Sequence, residues 1–276
     1  MHIEFYKKNP RYAGILRDSD PRQFQSLPQL CGLQAFHGKY AEALSDAREP
    51  RSVILDVGCG VGQVVRVLSE AGFEAHGVEV SETNLAVARE HPGQFHIYDG
   101  RTLPFPDHAV DAVGAFNVIE HVENPVALLD EMTRVLHPGG RIVISSPNFL
   151  RVLGWRDYHP HMRSFRQKWR NAQMLYRHLQ AYAADSQALI FEKMTPTQHE
   201  PFQPDEDAIV ATNAVDLRQY LRTRGYEKIR VSCVDRPVPE WIEAVLDFTP
   251  LRFLILNSFI IAEKPQAPKL EATPSG

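Results

Sequence analysis

Short apolar runs alternate with amphipathic segments along most of the chain from residue 51 onward. The first run, residues 53–55, is followed by a glycine-rich turn and then by apolar side chains at Val64, Val65 and Leu68. A continuous apolar run is typical of a buried strand, whereas a spacing of three to four residues is typical of a helix. The alternation predicts an α/β fold with a doubly wound, largely parallel sheet.

The same pattern places the individual elements. Strands are predicted at residues 53–55, 74–80, 95–98, 110–116, 141–145, 229–234 and 254–262. Helices are predicted between the glycine turn and Gly72 and at residues 28–44, 81–90, 125–136 and 215–224. The Pro138-Gly139-Gly140 turn is predicted to end the helix before the fifth strand. Because parallel sheets bind ligands at the carboxyl ends of their strands, the loops that follow strands are the expected site.

Five parts of the chain are predicted from these elements. They are an N-terminal helical cap (1–50), the first part of the core (51–148), a helical insertion that serves as an acceptor lid (149–212), the C-terminal part of the core (213–263) and a tail (264–276). The tail is rich in proline, alanine and serine, a composition that predicts disorder.

Composition and charge narrow the classes of function. A formal net charge of −4 and a pI near 6.3 give no basic field, so no nucleic-acid partner is expected. Cys31, Cys59 and Cys233 show no CxxC spacing, which argues against a disulfide framework and a structural zinc site. Residues 1–11 lack the apolar core of a signal peptide, and the run 253–262 is too short to span a bilayer. A cytoplasmic location is therefore predicted.

The sharpest local feature is the glycine loop Asp56-Val57-Gly58-Cys59-Gly60-Val61-Gly62, directly after the first strand. A dinucleotide fingerprint that starts at Gly58 needs glycine at position 63, which is Gln63. An acidic residue before the glycines suits a ligand with positive charge, such as an ammonium or a sulfonium. Glu79, at the end of the second strand, is placed to accept the ribose hydroxyls of an adenosine.

Residues 53–62 resemble motif I of the class I S-adenosylmethionine-dependent methyltransferases. Further segments resemble the same family in order, at residues 98–100, 103–107, 110–113, 117–122 and 136–141. The likeness covers roughly residues 50–148, is weaker over 213–263, and points to the type 11, or ubiquinone/menaquinone-biosynthesis-like, branch. It implies a Rossmann-like, seven-stranded sheet with an antiparallel last strand, and S-adenosyl-L-methionine as cofactor, with S-adenosyl-L-homocysteine as product.

The resemblance also implies a role for each matching position. Asp56 and the glycines are expected around the methionine moiety, Glu79 at the ribose and Asn117 under the transferable methyl. Asp99 is expected at the adenine amino group, with backbone contacts from the residues after it. The predicted cofactor site consists of Asp56, Gly58, Cys59, Gly60, Gln63, Glu79, Val80, Asp99, Gly100, Arg101 and Asn117.

Methyl transfer to a hydroxyl requires that a proton be removed, and His121 is the first candidate for the base. The alternative is that His121 packs or caps at the start of a helix. His159 and His161, in the insertion, are alternative bases, and Trp155, Tyr158 and Arg163 are the predicted acceptor contacts.

The insertion is basic and aromatic between residues 151 and 177. Apolar and aromatic residues recur in the insertion at helical spacing, namely Phe165, Trp169, Ala172, Leu175 or Tyr176, Leu179 and Tyr182. This stripe favours a lid helix packed on the core, and a clamp for an anionic acceptor or a contact with a membrane surface stays open. The carboxylates at 205–207 are interpreted as a solvated loop, and no metal is expected.

The leading hypothesis is a methyltransferase that acts on a small molecule, with a hydroxyl of a sugar or glycan precursor as the first guess. Nitrogen or carbon acceptors stay open, and so does a homodimer. The rival class is a non-catalytic binding module, against which the intact Asp56, Gly58, Gly60 and Glu79 argue. A motif for amino groups of nucleic acids is missing, since residues 117–120 read Asn-Val-Ile-Glu.

Overall fold

The strands of the protein form one sheet, as seen in a computed structural model that describes residues 31–154, 159–197, 205–234 and 239–266. The strands are β1 (Val53–Val57), β2 (Glu74–Glu79), β3 (Gln94–Ile97), β4 (Val110–Phe116), β5 (Leu136–Pro147), β6 (Glu227–Ser232) and β7 (Asn257–Glu263). Their spatial order is β3-β2-β1-β4-β5-β7-β6. Only β7 runs against its neighbours, β5 and β6. The predicted doubly wound α/β fold with an antiparallel last strand is confirmed.

Helices flank the strands, and most begin and end within a few residues of the predicted bounds. The helices are α1 (Cys31–Ser45), α2 (Gln63–Glu70), α3 (Glu82–Ala88), α4 (Pro125–Val135), α5 (Phe165–Ala184), α6 (Ala214–Thr223), α7 (Glu240–Phe248) and α8 (Leu251–Leu254). Side-chain hydrogen bonds fix the residues at which several of these helices begin. The Ser81 and Asn124 side chains accept hydrogen bonds from the first turns of α3 and α4, and Asn213 does the same for α6. None of the helices in the described part of the chain is long and apolar enough to cross a membrane.

Two apolar layers hold the sheet, one on each face. The larger lies under α4 and α6 and includes the fully buried Leu129 and Tyr220. The smaller lies under α1 and α2 and includes Tyr40, Leu44 and Val65. Each fully buried aliphatic side chain contributes roughly 1.5–3 kcal/mol, so both layers are needed to keep the strand ends in place.

The predicted boundary between the fourth helix and the fifth strand is wrong. The helix ends at Val135, and β5 begins at once at Leu136. Pairing with β4 shifts from Val110–Leu136 to Ala112–Arg141, so the Pro-Gly-Gly segment is a bulge inside the strand. Glycine at 139 suits the bulge because its φ is +80°.

The last strand starts later and ends later than predicted. Leu254 closes the short helix α8, and a left-handed Leu256, with φ +51°, separates it from β7. The prediction that the chain is disordered from residue 264 is wrong for Lys264. Its N–H donates to Gly140 O at 2.8 Å, and its carbonyl accepts from Gly139 N–H. Residues 267–276 of the predicted tail and residues 1–30 of the predicted cap lie outside the described residues.

The insertion after β5 leaves and returns at one point of the sheet. The Phe149 N–H donates to Thr212 O at 2.9 Å. Inside the insertion, the buried Asn171 amide donates to the carbonyls of Phe149, Arg151 and His161, at 3.0, 3.1 and 3.0 Å. One side chain thus ties α5 to two loops, around a separate apolar cluster that includes Leu175.

The prediction of which residues form the packed, apolar face of α5 is largely wrong. Phe165 is 83% exposed and Trp169 61% exposed, and Tyr176 and Leu179 are exposed as well. The packed face consists of Asn171, Leu175 and His178. The pattern failed because two buried polar residues, both hydrogen-bonded, occupy positions that hydrophobicity assigns to solvent.

Candidate cofactor and acceptor site

The glycine loop turns back onto β2 immediately after β1. The N–H groups of Gly58 and Cys59 donate to Val78 O at 2.8 and 3.1 Å. Gly58 has φ +73°, and a Cβ on it would lie 2.4 Å from Val118 Cγ2. Only glycine therefore meets both the backbone and the packing demands at this position.

Gly60 and Gly62 also adopt left-handed backbones, but their surroundings differ. A Cβ on Gly62 would lie 2.6 Å from the Phe95 ring, so this glycine is required by packing. A Cβ on Gly60 would meet no described atom within 4 Å. The open space over Gly60 is where a ligand can approach the backbone of the loop.

Glu79 faces this loop from the end of β2 and is 8% exposed. Its Oε1 accepts from Val80 N–H at 2.8 Å and from Ser81 N–H at 3.0 Å, and its Oε2 accepts from Gly60 N–H at 3.1 Å. Burial raises the pKa of Glu79, and the three backbone donors oppose that rise. The carboxylate therefore lies in a fixed position at the rim of the loop.

Asp56 is buried, and a residue that the sequence analysis missed holds it. The Tyr40 hydroxyl, on α1, donates to Asp56 Oδ1 at 2.9 Å. Burial raises the pKa of Asp56 to about 7; the hydrogen bond from Tyr40 opposes the rise, and the charge of Glu79 adds to it. A sequence feature related to this contact is Gly114 on β4, because a Cβ at that position would lie 2.2 Å from the Tyr40 oxygen. A positively charged ligand beside Asp56 would favour its ionised form.

The loop after β3 contributes an exposed carboxylate. Asp99 Oδ1 accepts from Arg101 N–H at 2.8 Å and from Thr102 N–H at 2.9 Å, and these bonds lower its pKa. Gly100 between them has φ +79°. The structure thus places Asp99, Gly100 and Arg101 in one tight turn.

Asn117 lies just past β4 and is exposed. Its φ is +52°, a left-handed backbone that asparagine tolerates better than most residues, and its N–H donates to Ser145 O at 2.9 Å. The hydrogen bond fixes the point at which the chain turns from β4 into a 3₁₀ turn at Ile119–His121.

The other predicted cofactor residues are half-buried around the same loop. Burial raises the pKa of the Cys59 thiol well above its ordinary value, with the charges of Asp56 and Glu79 adding to it. The thiol therefore stays neutral and is not a nucleophile. Gln63 is the first residue of α2, and Val80 follows Glu79 at the end of β2.

His121 ends the 3₁₀ turn, with its side chain 11% exposed. Its Nδ1 lies 3.6 Å from Asp207 Oδ1, and its Nε2 lies 3.8 Å from Glu120 Oε1. The prediction that 205–207 is a solvated loop is wrong, because Glu206 is 2% and Asp207 5% exposed. The insertion brings these carboxylates to the end of β4, and residue spacing along the chain gave no signal of it.

His159 and His161 stack on one another, with ring centroids 5.5 Å apart. His159 is buried and accepts from His161 N–H at 3.2 Å, so it caps the turn Pro160–Met162. Burial, aided by the neighbouring charges of His161 and Arg163, lowers its pKa to about 4. Burial also lowers the pKa of His161. Both imidazoles are therefore neutral near pH 7. Arg163 is exposed, and Trp155 and Tyr158 lie outside the described residues.

Comparisons with known proteins agree with this geometry. Residues 55–144 match the model of a methyltransferase domain, type 11. An uncharacterized methyltransferase of Mycolicibacterium vanbaalenii is 36% identical over 127 residues, which are 45% of this chain and 50% of that protein. One of Mycolicibacterium gilvum is 28% identical over 217 residues, 77% and 76% of the two chains. The alignment with the first relative thus spans half of that protein's length.

A solved SAM-dependent methyltransferase of Thermotoga maritima superposes with a TM-score of 0.54 at 15% identity, over 92% of this chain and 97% of that one. The sheet order and this superposition show the class I methyltransferase fold. The family-model match over residues 55–144 and the relative from Mycolicibacterium gilvum both indicate a methyltransferase domain of type 11 in this chain.

S-adenosyl-L-methionine is the cofactor of this domain, and the residues present fit it. The space over Gly60 is open among the described residues, and two buried carboxylates, Asp56 and Glu79, adjoin the loop. Such carboxylates suit a ligand that carries an ammonium, a sulfonium and a pair of ribose hydroxyls.

Proposed function

We propose that this chain transfers the methyl group of S-adenosylmethionine to an oxygen of a small molecule, with a hydroxyl of a sugar or glycan precursor as the acceptor. The observation that carries the proposal is the His121–Asp207 pair, which the insertion brings beside the turn that follows β4. An oxygen acceptor needs a group that takes its proton, and an imidazole backed by a carboxylate is suited to that task.

The cofactor half of the reaction uses binding and orientation. Asp56 is placed to attract the ammonium of the methionine moiety, and Glu79 is placed to accept both ribose hydroxyls. Asp99 is exposed beside them, where it can accept the adenine amino group. Holding the methyl in line with the acceptor contributes roughly 7–11 kcal/mol through positioning.

The transfer itself balances as follows. The acceptor O–H bond breaks and its proton goes to His121 Nε2 while the oxygen attacks the methyl carbon. An O–C bond forms, the S–C bond breaks, and its electron pair stays on sulfur to give neutral S-adenosylhomocysteine. Asp207 at Nδ1 stabilises the imidazolium, and such a base contributes about 10²–10⁴ in rate.

The acceptor pocket is proposed to lie under the insertion. His161 is half-buried and stacks on the buried His159, so its neutral imidazole is the one of the pair that can meet a polyhydroxylated ring. Basic side chains of the insertion, such as Arg163, could bind an anionic group on the acceptor. A cytoplasmic location and the absence of a nucleic-acid partner belong to the same proposal, and the second of these rests on the net charge of −4.

A second candidate is methyl transfer to an amine, and the acidity of the pocket favours it. Glu120, Asp205 and Asp207 lie together beside His121 and would attract an ammonium. An amine acceptor can do without a strong base. The His121→Ala variant separates the two candidates, since it should lose about 10²–10⁴ in rate on a hydroxyl and little on an amine.

The test starts with calorimetric titration of S-adenosylmethionine and S-adenosylhomocysteine into wild type and Glu79→Ala. Micromolar binding that collapses in the variant supports the cofactor site, and an acceptor screen that detects S-adenosylhomocysteine then compares sugars with amines. Glu42→Gln, an exposed charge change on α1, serves as the control. A folded wild type that binds neither compound would contradict the proposal and favour a binding module.

A further inference from the structure

The strongest unexplained feature is the Glu120 carboxylate. Glu120 is fully buried, and among the described residues neither of its oxygens has a hydrogen-bond partner. The Ser146 hydroxyl, which lies nearby, donates instead to Thr212 Oγ1 at 2.5 Å. A buried carboxylate without donors is unfavourable unless a cation accompanies it or it takes up a proton.

Further ligand atoms converge on this carboxylate. One oxygen of Glu120, one ring nitrogen of His121 and one oxygen of Asp205 lie within 4.8 Å of one another. Ligands on opposite sides of an ion at 2.0–2.2 Å are separated by about 4.2 Å, so the three atoms lie close to the spacing that one shared ion requires.

The imidazole is already oriented for this purpose. Nε2 of His121 is on the Glu120 side, at 3.8 Å from Oε1, while Nδ1 faces Asp207 at 3.6 Å. A metal-bound histidine typically donates its other ring N–H to a carboxylate, which fixes the tautomer and raises ligand basicity. Asp207 lies on that side of the ring, at 3.6 Å from Nδ1, where it can accept such a bond after a small approach.

The backbone holds the two halves of the cluster together. The Glu120 carbonyl accepts from Ile209 N–H at 2.9 Å and from Val210 N–H at 3.0 Å. The Asp205 carbonyl accepts from Ala208 N–H at 3.1 Å. These bonds fix the segment with Asp205 against the turn with Glu120, so the cluster is a built feature of the fold.

We propose that Glu120, His121 and Asp205 bind one divalent metal ion of the Mn²⁺ or Zn²⁺ kind, with Asp207 orienting the histidine. Two carboxylates and one imidazole form a mixed oxygen and nitrogen set that suits these ions better than Ca²⁺. Three protein ligands leave a position open for water or an acceptor oxygen.

The role of the ion rests on the proposed oxygen acceptor, whereas its binding does not. A hydroxyl bound to the ion has a lowered pKa, so its proton passes to water, and His121 is then a ligand instead of the base. The oxygen attacks the methyl carbon as before, and the electron pair of the broken S–C bond stays on sulfur. This proposal departs from the sequence-based expectation that no metal is bound.

The test is metal binding to the full chain after treatment with a chelator, with MnCl₂ and ZnCl₂ as the probes in calorimetry. One ion per chain is expected. Glu120→Gln and Asp205→Asn should each weaken binding at least tenfold, since even outer partners of metal ligands cost 10–100-fold. Glu42→Gln should bind as wild type does, and thermal melts check that each variant is folded.

Wild type without saturable binding of either ion, or a Glu120→Gln variant that binds as tightly as wild type, would overturn the metal site. S-adenosylmethionine titrated into the same samples keeps the two proposals apart. Cofactor binding without metal binding removes only the metal site, and metal binding without cofactor binding removes only the proposed function.

Discussion

The cofactor side and the insertion side of the site are held together in different ways. On the cofactor side, backbone groups close in sequence or on neighbouring strands bond to each other, as Gly58 and Cys59 do with Val78. On the insertion side, buried polar side chains tie distant segments together, as Asn171 does with three carbonyls. Local rules describe the first side well, whereas the second depends on which side chains meet in space.

The largest expected effect is at Asp56, on the cofactor side. The pKa of Asp56 is raised to about 7 in the folded chain, whereas it is about 4 in the unfolded chain. The stability that this carboxyl group contributes is therefore fully present below about pH 4 and is lost as the pH rises through 7. Asp56→Asn should therefore unfold less readily than wild type at pH 8, by at most roughly 4 kcal/mol, and match it at pH 4. Urea unfolding of the ligand-free proteins at both pH values measures this.

The same variant should lose cofactor binding, because the amide cannot attract the ammonium. Added S-adenosylmethionine should stabilise wild type and leave Asp56→Asn unchanged. Equal stabilities of the two ligand-free proteins at pH 8 would show that the buried carboxylate is not strained by its surroundings.

The next effect compares two glycines of one loop. Gly58→Ala places a Cβ against Val118 in a left-handed backbone and should destabilise the fold by about 2–4 kcal/mol. Gly60→Ala has the backbone strain alone, about 1–2 kcal/mol, yet should weaken cofactor binding because its Cβ enters the open space. Chemical unfolding and cofactor titration are the measurements, and Gly58→Ala with Val118→Ala should recover part of the loss.

A third comparison lies within the insertion helix. Leu175→Ala removes a buried side chain of the small insertion cluster and should cost about 2–3 kcal/mol. Trp169→Ala, on the exposed stripe, should stay within about 0.5 kcal/mol of wild type. Limited proteolysis measures local unfolding of the insertion in both variants. If Trp169→Ala is cleaved faster than Leu175→Ala, the exposed stripe is packed in solution.

The smallest effect is expected at His178, which joins the insertion to α6. Burial lowers its pKa, but Asp216 at 2.9 Å and Glu192 at 3.3 Å outweigh burial, so the net shift is upward. Its stabilisation is full below the unfolded pKa of about 6.5 and is lost as the pH rises through the raised folded value. His178→Gln should remove this pH dependence, about 1 kcal/mol in size.

Unfolding of wild type and His178→Gln is measured at pH 6 and pH 9, and the difference between the two proteins isolates this group. A difference that grows with pH would reverse the sign of the pKa shift. Tyr182, whose hydroxyl donates to Asp216 at 2.7 Å, is present in both proteins and keeps the carboxylate bonded.

The sequence by itself determined the sheet and most of the cofactor side. Strand and helix periods are local, and the glycine positions follow from backbone conformations that other residues avoid, as at Gly58 and Gly62. Glu79 was predicted beside the loop because neighbouring parallel strands end at the same edge of the sheet.

The tertiary structure decided which distant side chains meet. Tyr40 reaches Asp56, and Asp207 reaches His121, across gaps in sequence that no local period encodes. The face of α5 was misjudged because Asn171 and His178 are buried with hydrogen-bond partners, which hydrophobicity cannot show. Burial and pairing of polar groups depend on the whole fold, and for that reason the insertion side could be described only once the insertion was placed.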